Sequence, residues 1–243
     1  MTGAYWQASR APRYSLLFAL PLLLLYQVLA AAVPAGPQGG VRNGADVLLQ
    51  NIFIWLAGSR GPLLFMFCVI GGGLWLVAKD MRANGRRLSA PVFATMLAEA
   101  VGLALVFGIV VGGLTAALLG APLPLAAPAA AQELDRRTIL MLSIGAGIYE
   151  ELLFRVVLVG ALAWVAHRVV GWRAPVAGAV ATIGGALLFS AFHYIGPYGD
   201  ALELYSFVFR TIAGLFFSAL YLLRGFGITA WTHALYDVFL LVR

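Results

Sequence analysis

The sequence predicts an all-α protein, a polytopic membrane bundle of about seven to eight transmembrane helices, and three observations carry that expectation. Of 243 residues, 62% are hydrophobic and only 11% are charged, which is too little charge to cover a water-soluble globule. The mean hydropathy is +0.93. The apolar residues fall into runs that supply about seven crossings of about 20 residues each. So short a chain leaves little room for a separate soluble unit. One membrane domain over 1–243 is expected, with N-terminal helices over 1–137 and a core over 138–243.

The first expected span, Tyr14 to Val33, follows Arg10 and Arg13 and stops before Pro34-Ala35-Gly36-Pro37. Its apolar stretch is longer than the core of a signal peptide, so a retained anchor is expected. Asp46 to Ala57 mixes Gln50 and Asn51 with aromatic and aliphatic residues, which suits an interfacial helix. The other expected spans are Pro62–Ala78, Pro91–Leu119, Thr138–Ala166, Ala174–Ile195, Leu202–Leu223 and Phe226–Val242. The loop Lys79 to Arg87 holds Lys79, Arg82, Arg86 and Arg87, whereas Gly120 to Ala131 is uncharged. Such asymmetry predicts seven spans with the N-terminus cytoplasmic, in a membrane that the Arg- and Ala-rich composition suggests is bacterial. The net charge of +6 comes from Lys79 and scattered arginines, which argues for orientation in a bilayer and against a nucleic-acid partner. Gly108 and Gly112 allow close helix approach. Cys68, in an apolar run, reads as packing.

Charge within hydrocarbon costs a few kcal/mol per group, so ionisable residues there are rare and commonly functional. Three apolar segments nevertheless concentrate them: Tyr149-Glu150-Glu151-Leu152-Leu153-Phe154-Arg155, Phe189-Ser190-Ala191-Phe192-His193, and His233-Ala234-Leu235-Tyr236-Asp237. On an α-helix Glu151 and Arg155 share a face and can form an ion pair, while Glu150 points elsewhere and is free for general-base work. His233 and Asp237 also share a face. Hydrolysis is the chemistry this suggests: Glu150 activates a water that His193 helps to hold, and His233 with Asp237 stabilises an oxyanion. Glu99, alone in its span, reads as a structural partner for an intramembrane Arg such as Arg155 or Arg210. The aromatics Trp231, Phe207, Phe209, Phe216 and Phe217 read as packing or lipid contacts, with a substrate groove as the alternative place for some of them.

The succession Glu-Glu-x-x-x-Arg, Phe-x-x-x-His and His-x-x-x-Asp, in order on three apolar segments, resembles the CAAX protease and bacteriocin-processing family. That family includes type II CAAX prenyl endopeptidases and Abi self-immunity proteins. The resemblance covers about Thr138 to Val242. It implies an all-helical intramembrane endopeptidase in which Glu150 and His193 activate the water, His233 and Asp237 form the oxyanion site, and Glu151, Arg155 and Phe189 support them. The prenyl endopeptidases have Asn where this chain has Asp237. An ionised Asp would repel an oxyanion, so orienting His233 or staying protonated are the roles open to it. A glutamate mechanism without cofactor is favoured; a divalent metal such as zinc, held by Glu150, His193 and His233, is the alternative. The implied partners are the lipid bilayer and a membrane-anchored protein or peptide, cut near its C-terminus. Two other readings of the same residues are a non-proteolytic immunity or scaffold protein and a proton-coupled transporter. The predicted topology puts His193 and His233 near opposite ends of their helices. Since they must meet at one depth, at least one expected boundary must shift.

Overall fold

The structure, a computed structural model, describes residues 2–33, 41–120, 134–196 and 199–241, and its regular elements among these residues are all helical. They are α1 (Thr2–Arg10), α2 (Pro12–Ala32), α3 (Gly44–Ala57), α4 (Gly61–Asn84), α5 (Ala90–Leu119), α6 (Arg136–Gly145), α7 (Gly160–Arg168), α8 (Ala174–Phe192), α9 (Leu204–Arg224) and α10 (Phe226–Leu241). Pro12, Pro62, Pro91 and Pro175 stand in first turns, where a missing N–H costs nothing. Asp135 caps α6 by accepting from the backbone N–H groups of Arg137 and Thr138. The Pro34–Pro37 break, nearly all of the uncharged loop and Val242 lie outside the described residues.

Five stretches among the described residues are long and apolar enough to cross a membrane: Pro12–Ala32, Gly44–Asn84, Ala90–Leu119, Ala174–Phe192 and Leu204–Arg224. Their outer faces expose Leu63, Phe67, Ile109 and Leu118, the pattern of a surface solvated by lipid. Two expected spans are not among the five. Thr138–Ala166 is divided into α6, two wide π-type stretches at Ala146–Glu150 and Leu152–Val159, and α7. Phe226–Val242 becomes the 16-residue α10. Cys68 is exposed on α4, so it does not pack in the interior as expected; apolar sequence around a residue says nothing about which face it occupies when the outer face is apolar too.

The short α1 was not foreseen. Tyr5 donates its hydroxyl to Glu99 Oε2 at 2.5 Å, and Arg224 donates to Glu99 from Nε at 2.5 Å and Nη2 at 2.6 Å. The Arg224 guanidinium also lies 4.0 Å from the Trp6 ring centroid. The partner of Glu99 is therefore Arg224 rather than Arg155 or Arg210, which are engaged by Glu151 and Asp200.

Helix α10 occupies the centre, against α2, α5, α6 and α9. A single residue, Gly225 with φ of 79°, joins it to α9, a conformation that side chains disfavour. Small residues let the chain carrying Glu150 close on its neighbours. A Cβ on Gly145 would lie 2.5 Å from the Tyr26 ring, and one on Gly147 would lie 2.4 Å from the Ala230 carbonyl oxygen and 2.7 Å from Ala234 Cβ. Gly108 likewise meets the Tyr236 ring. Gly147→Ala is expected to destabilise the bundle by about 1–3 kcal/mol through overpacking. Gly160→Ala, with nothing within 4 Å of its added Cβ, should be neutral or stabilising. Thermal unfolding of both variants in the same detergent checks the contrast.

Candidate active site

Glu150 and Glu151 lie where the π-type stretches meet, and both are buried. Wide π-type turns inside α-helices frequently occur at functional sites. Here consecutive carboxylates engage different sets of partners. Glu151 Oε2 is 3.1 Å from Arg155 Nε, and Glu151 Oε1 is 2.7 Å from His233 Nδ1. One carboxylate thus joins the first motif to the third. Glu150 Oε1 instead accepts a hydrogen bond from Asn43 Nδ2 at 2.9 Å. Its Oε2 has no hydrogen-bond partner among the described residues and faces His193 Nε2 at 3.9 Å.

His193 caps the C-terminus of α8, which ends at Phe192 and not at the expected Ile195. Its Nδ1 is 2.8 Å from the Phe189 carbonyl oxygen. A carbonyl can only accept, so Nδ1 carries a proton, and Nε2 is the ring atom turned toward Glu150. His233 lies two turns into α10. The two histidines therefore reach the same pair of glutamates, one from a helix end and one from within a short helix, which answers the mismatch in depth. Asp237 Oδ2 is 3.8 Å from His233 Nε2, too far for a hydrogen bond.

Phe189 gathers the three motifs around its ring. The Arg155 guanidinium carbon lies 4.5 Å from its centroid, and the rings of His193 and His233 lie at 4.9 and 6.2 Å. Phe217 stacks on the His233 ring at 4.4 Å with an interplanar angle of 19°. This makes Phe217 part of the site wall. Arg155 also borders a cavity of about 630 Å³ between α7, α8 and α9.

Two contributors were missed from sequence. Asn43 precedes α3, whose first turn packs against the Glu150 stretch, so reading α3 as an interfacial helix overlooked its buried end. Phe217 was one aromatic among many. Asn43 carried no signal because an uncharged residue beside a Pro/Gly-rich stretch looks like any loop position.

Among the described residues no three His, Cys, Asp or Glu side chains converge as ligands for a metal ion. Of the set Glu150, His193 and His233, His233 directs Nδ1 to Glu151 at 2.7 Å, which leaves Nε2 as its atom for any other partner.

Fold and site together define an integral membrane protein, built of helices, with a buried carboxylate–histidine cluster. Residues 134–239 match the family model described as type II CAAX prenyl endopeptidase Rce1-like. The region carrying all three motifs is thus that of the CAAX protease family, and the match supports a CAAX-type intramembrane protease at that level. No curated protein and no solved structure matches the chain.

Proposed function

We propose that the protein is an intramembrane endopeptidase that uses Glu150 as the general base toward a water molecule. The observation that carries this reading is the opposition of Glu150 Oε2 and His193 Nε2 at 3.9 Å. That distance is too long for a direct bond and suits a water bonded to both. Such a water donates one proton to each acceptor and turns its oxygen lone pairs to a scissile carbonyl. Glu150 takes the proton as the oxygen attacks. His233 then stabilises the oxyanion; with Nδ1 engaged by Glu151, it must carry both ring protons to donate from Nε2. Glu151 holds that ring, Arg155 holds Glu151, and Phe189 supports both. At 3.8 Å Asp237 acts on His233 rather than on substrate.

In this reading the substrate is a membrane-anchored protein or peptide cut near its C-terminus. The chain crosses the bilayer seven times with its N-terminus cytoplasmic, in a bacterial cytoplasmic membrane, and no nucleic acid takes part. The reaction runs without metal. Protein purified into lipid vesicles should cleave at least one of two probes: a farnesylated peptide ending in a CAAX sequence, or an unprenylated single-span peptide with a short polar tail. Cleavage, read by mass spectrometry, should persist in excess chelator, with no stoichiometric metal in elemental analysis. Chelator-sensitive cleavage restored by zinc would replace the glutamate mechanism with a metal one. Cleavage of neither probe would sink the protease reading.

A further inference from the structure

We propose that Asn43 is a positioning residue for the Glu150 carboxylate, so that the active site is completed by the first half of the chain, outside the matched residues 134–239. This inference rests on Glu150 being the base. Asn43 stands 107 positions before Glu150, yet its Nδ2 donates to Glu150 Oε1 at 2.9 Å, with both side chains buried.

The orientation of the amide is dictated by its other partners. Asn43 Oδ1 accepts the backbone N–H of Ala45 at 2.9 Å, the N-cap bond of α3. An N–H can only donate, so the oxygen of the amide must face Ala45 and its NH₂ must face Glu150. The residue is anchored from behind as well. Its backbone N–H donates to the Tyr26 hydroxyl at 3.2 Å, and that hydroxyl donates to Asp46 Oδ2 at 2.8 Å. Arg42 donates to the same Asp46 oxygen at 2.7 Å, and Gln50 donates to Oδ1 at 2.6 Å. A network whose central members, Tyr26, Asn43 and Asp46, are buried and engaged is rigid.

The approach to Glu150 is built by the opposite wall too. A Cβ on Gly145 would lie 2.9 Å from Asn43 Cβ, so the missing side chain there is what lets α3 press its N-cap against the helix carrying the base. The consequence is a division of labour between the two carboxylate oxygens. Asn43 occupies Oε1, which stops the carboxylate from rotating, and Oε2 is held toward His193. A misplacement of about 1 Å in such a group can cost about 10²-fold in rate.

Capping and positioning can be separated, because Ser, Asp and Asn are comparable N-caps. Asn43→Ser keeps the cap and is too short to reach Glu150. Asn43→Asp keeps cap and shape and sets a carboxylate against a carboxylate. Each variant is assayed as full-length protein in vesicles on whichever of the two probes is cleaved, with melting in detergent measured alongside. For Asn43→Ser the expected result is a melting temperature close to that of the parent, kcat lower by about 10²-fold, and KM within about threefold, since the bond acts on the base and not on substrate binding; Asn43→Asp should show the same kinetic defect with a lower melting temperature. Parental kcat in both variants, with Glu150→Gln inactive, overturns the proposal. Full activity in Glu150→Gln would instead remove the reading beneath it. If Asn43→Asp does not fold, adding Glu150→Gln should restore folding, because the new amide can donate to the new carboxylate. A double variant that stays unfolded also overturns the proposal.

Discussion

Glu150→Gln is expected to lower kcat by about 10²–10⁴-fold, the usual worth of a positioned general base, while leaving the fold intact. The substitution keeps the size of the side chain and the acceptor that Asn43 needs, because the Gln carbonyl oxygen can receive the Nδ2 bond now made to Oε1. What changes is the atom facing His193. An NH₂ group replaces Oε2, and a group that can only donate cannot take a proton from water. The defect should therefore fall on kcat, with KM and the melting temperature in detergent little altered. His193→Ala should lose activity with the same signature, because it removes the other acceptor of the proposed water. The pair also discriminates among mechanisms. If each residue served only to stabilise the fold, both variants would melt earlier, and their activities would recover at low temperature. Glu150→Gln that cleaves at the parental rate would end the glutamate mechanism.

Much of the site was legible in the sequence for one physical reason: hydrocarbon excludes charge, so any charge retained there is conspicuous. Glu150, Glu151, Arg155, His193, His233 and Asp237 stood out on that ground, and the structure brings them within a few ångströms of one another. The all-helical class was legible on the same ground. What escaped was whatever contributes geometry without charge. Asn43 is neutral, and Phe217 is one of 15 phenylalanines. The π-type turns, which lie beside the close approaches at Gly145 and Gly147, leave no periodic mark. Pairing across the bundle was equally hidden. Glu99 was matched to arginines within spans, but its partner Arg224 closes α9 and reads in sequence as a loop charge. Local spacing predicts neighbours on one helix, such as Glu151 and Arg155; it does not predict which helix ends meet.

Arg155→Met is expected to destabilise the protein by about 3–5 kcal/mol, the cost of leaving one partner of a buried ion pair uncompensated. Arg155 is 3% exposed and Glu151 is fully buried, with 3.1 Å between Nε and Oε2. The guanidinium also lies over the rings of Phe189 and Phe217, at 4.5 and 5.5 Å, where its cationic face adds to the pairing. Met fills much of the same volume without charge, so the loss isolates electrostatics from packing. The informative comparison is with Glu151→Gln/Arg155→Met. Replacing both members of a buried pair is often nearly neutral for stability, so the double variant should regain most of the lost melting temperature. It should not regain activity. Glu151 also holds His233 Nδ1 at 2.7 Å, and a Gln there no longer supplies the negative charge that supports a doubly protonated ring. Stability restored without catalysis would show that Arg155 serves the fold through Glu151, while Glu151 serves the reaction through His233. Single and double variants that melt with the parent would mean that the pair contributes nothing to stability. Recovery of cleavage in the double variant would remove Glu151 from the catalytic support.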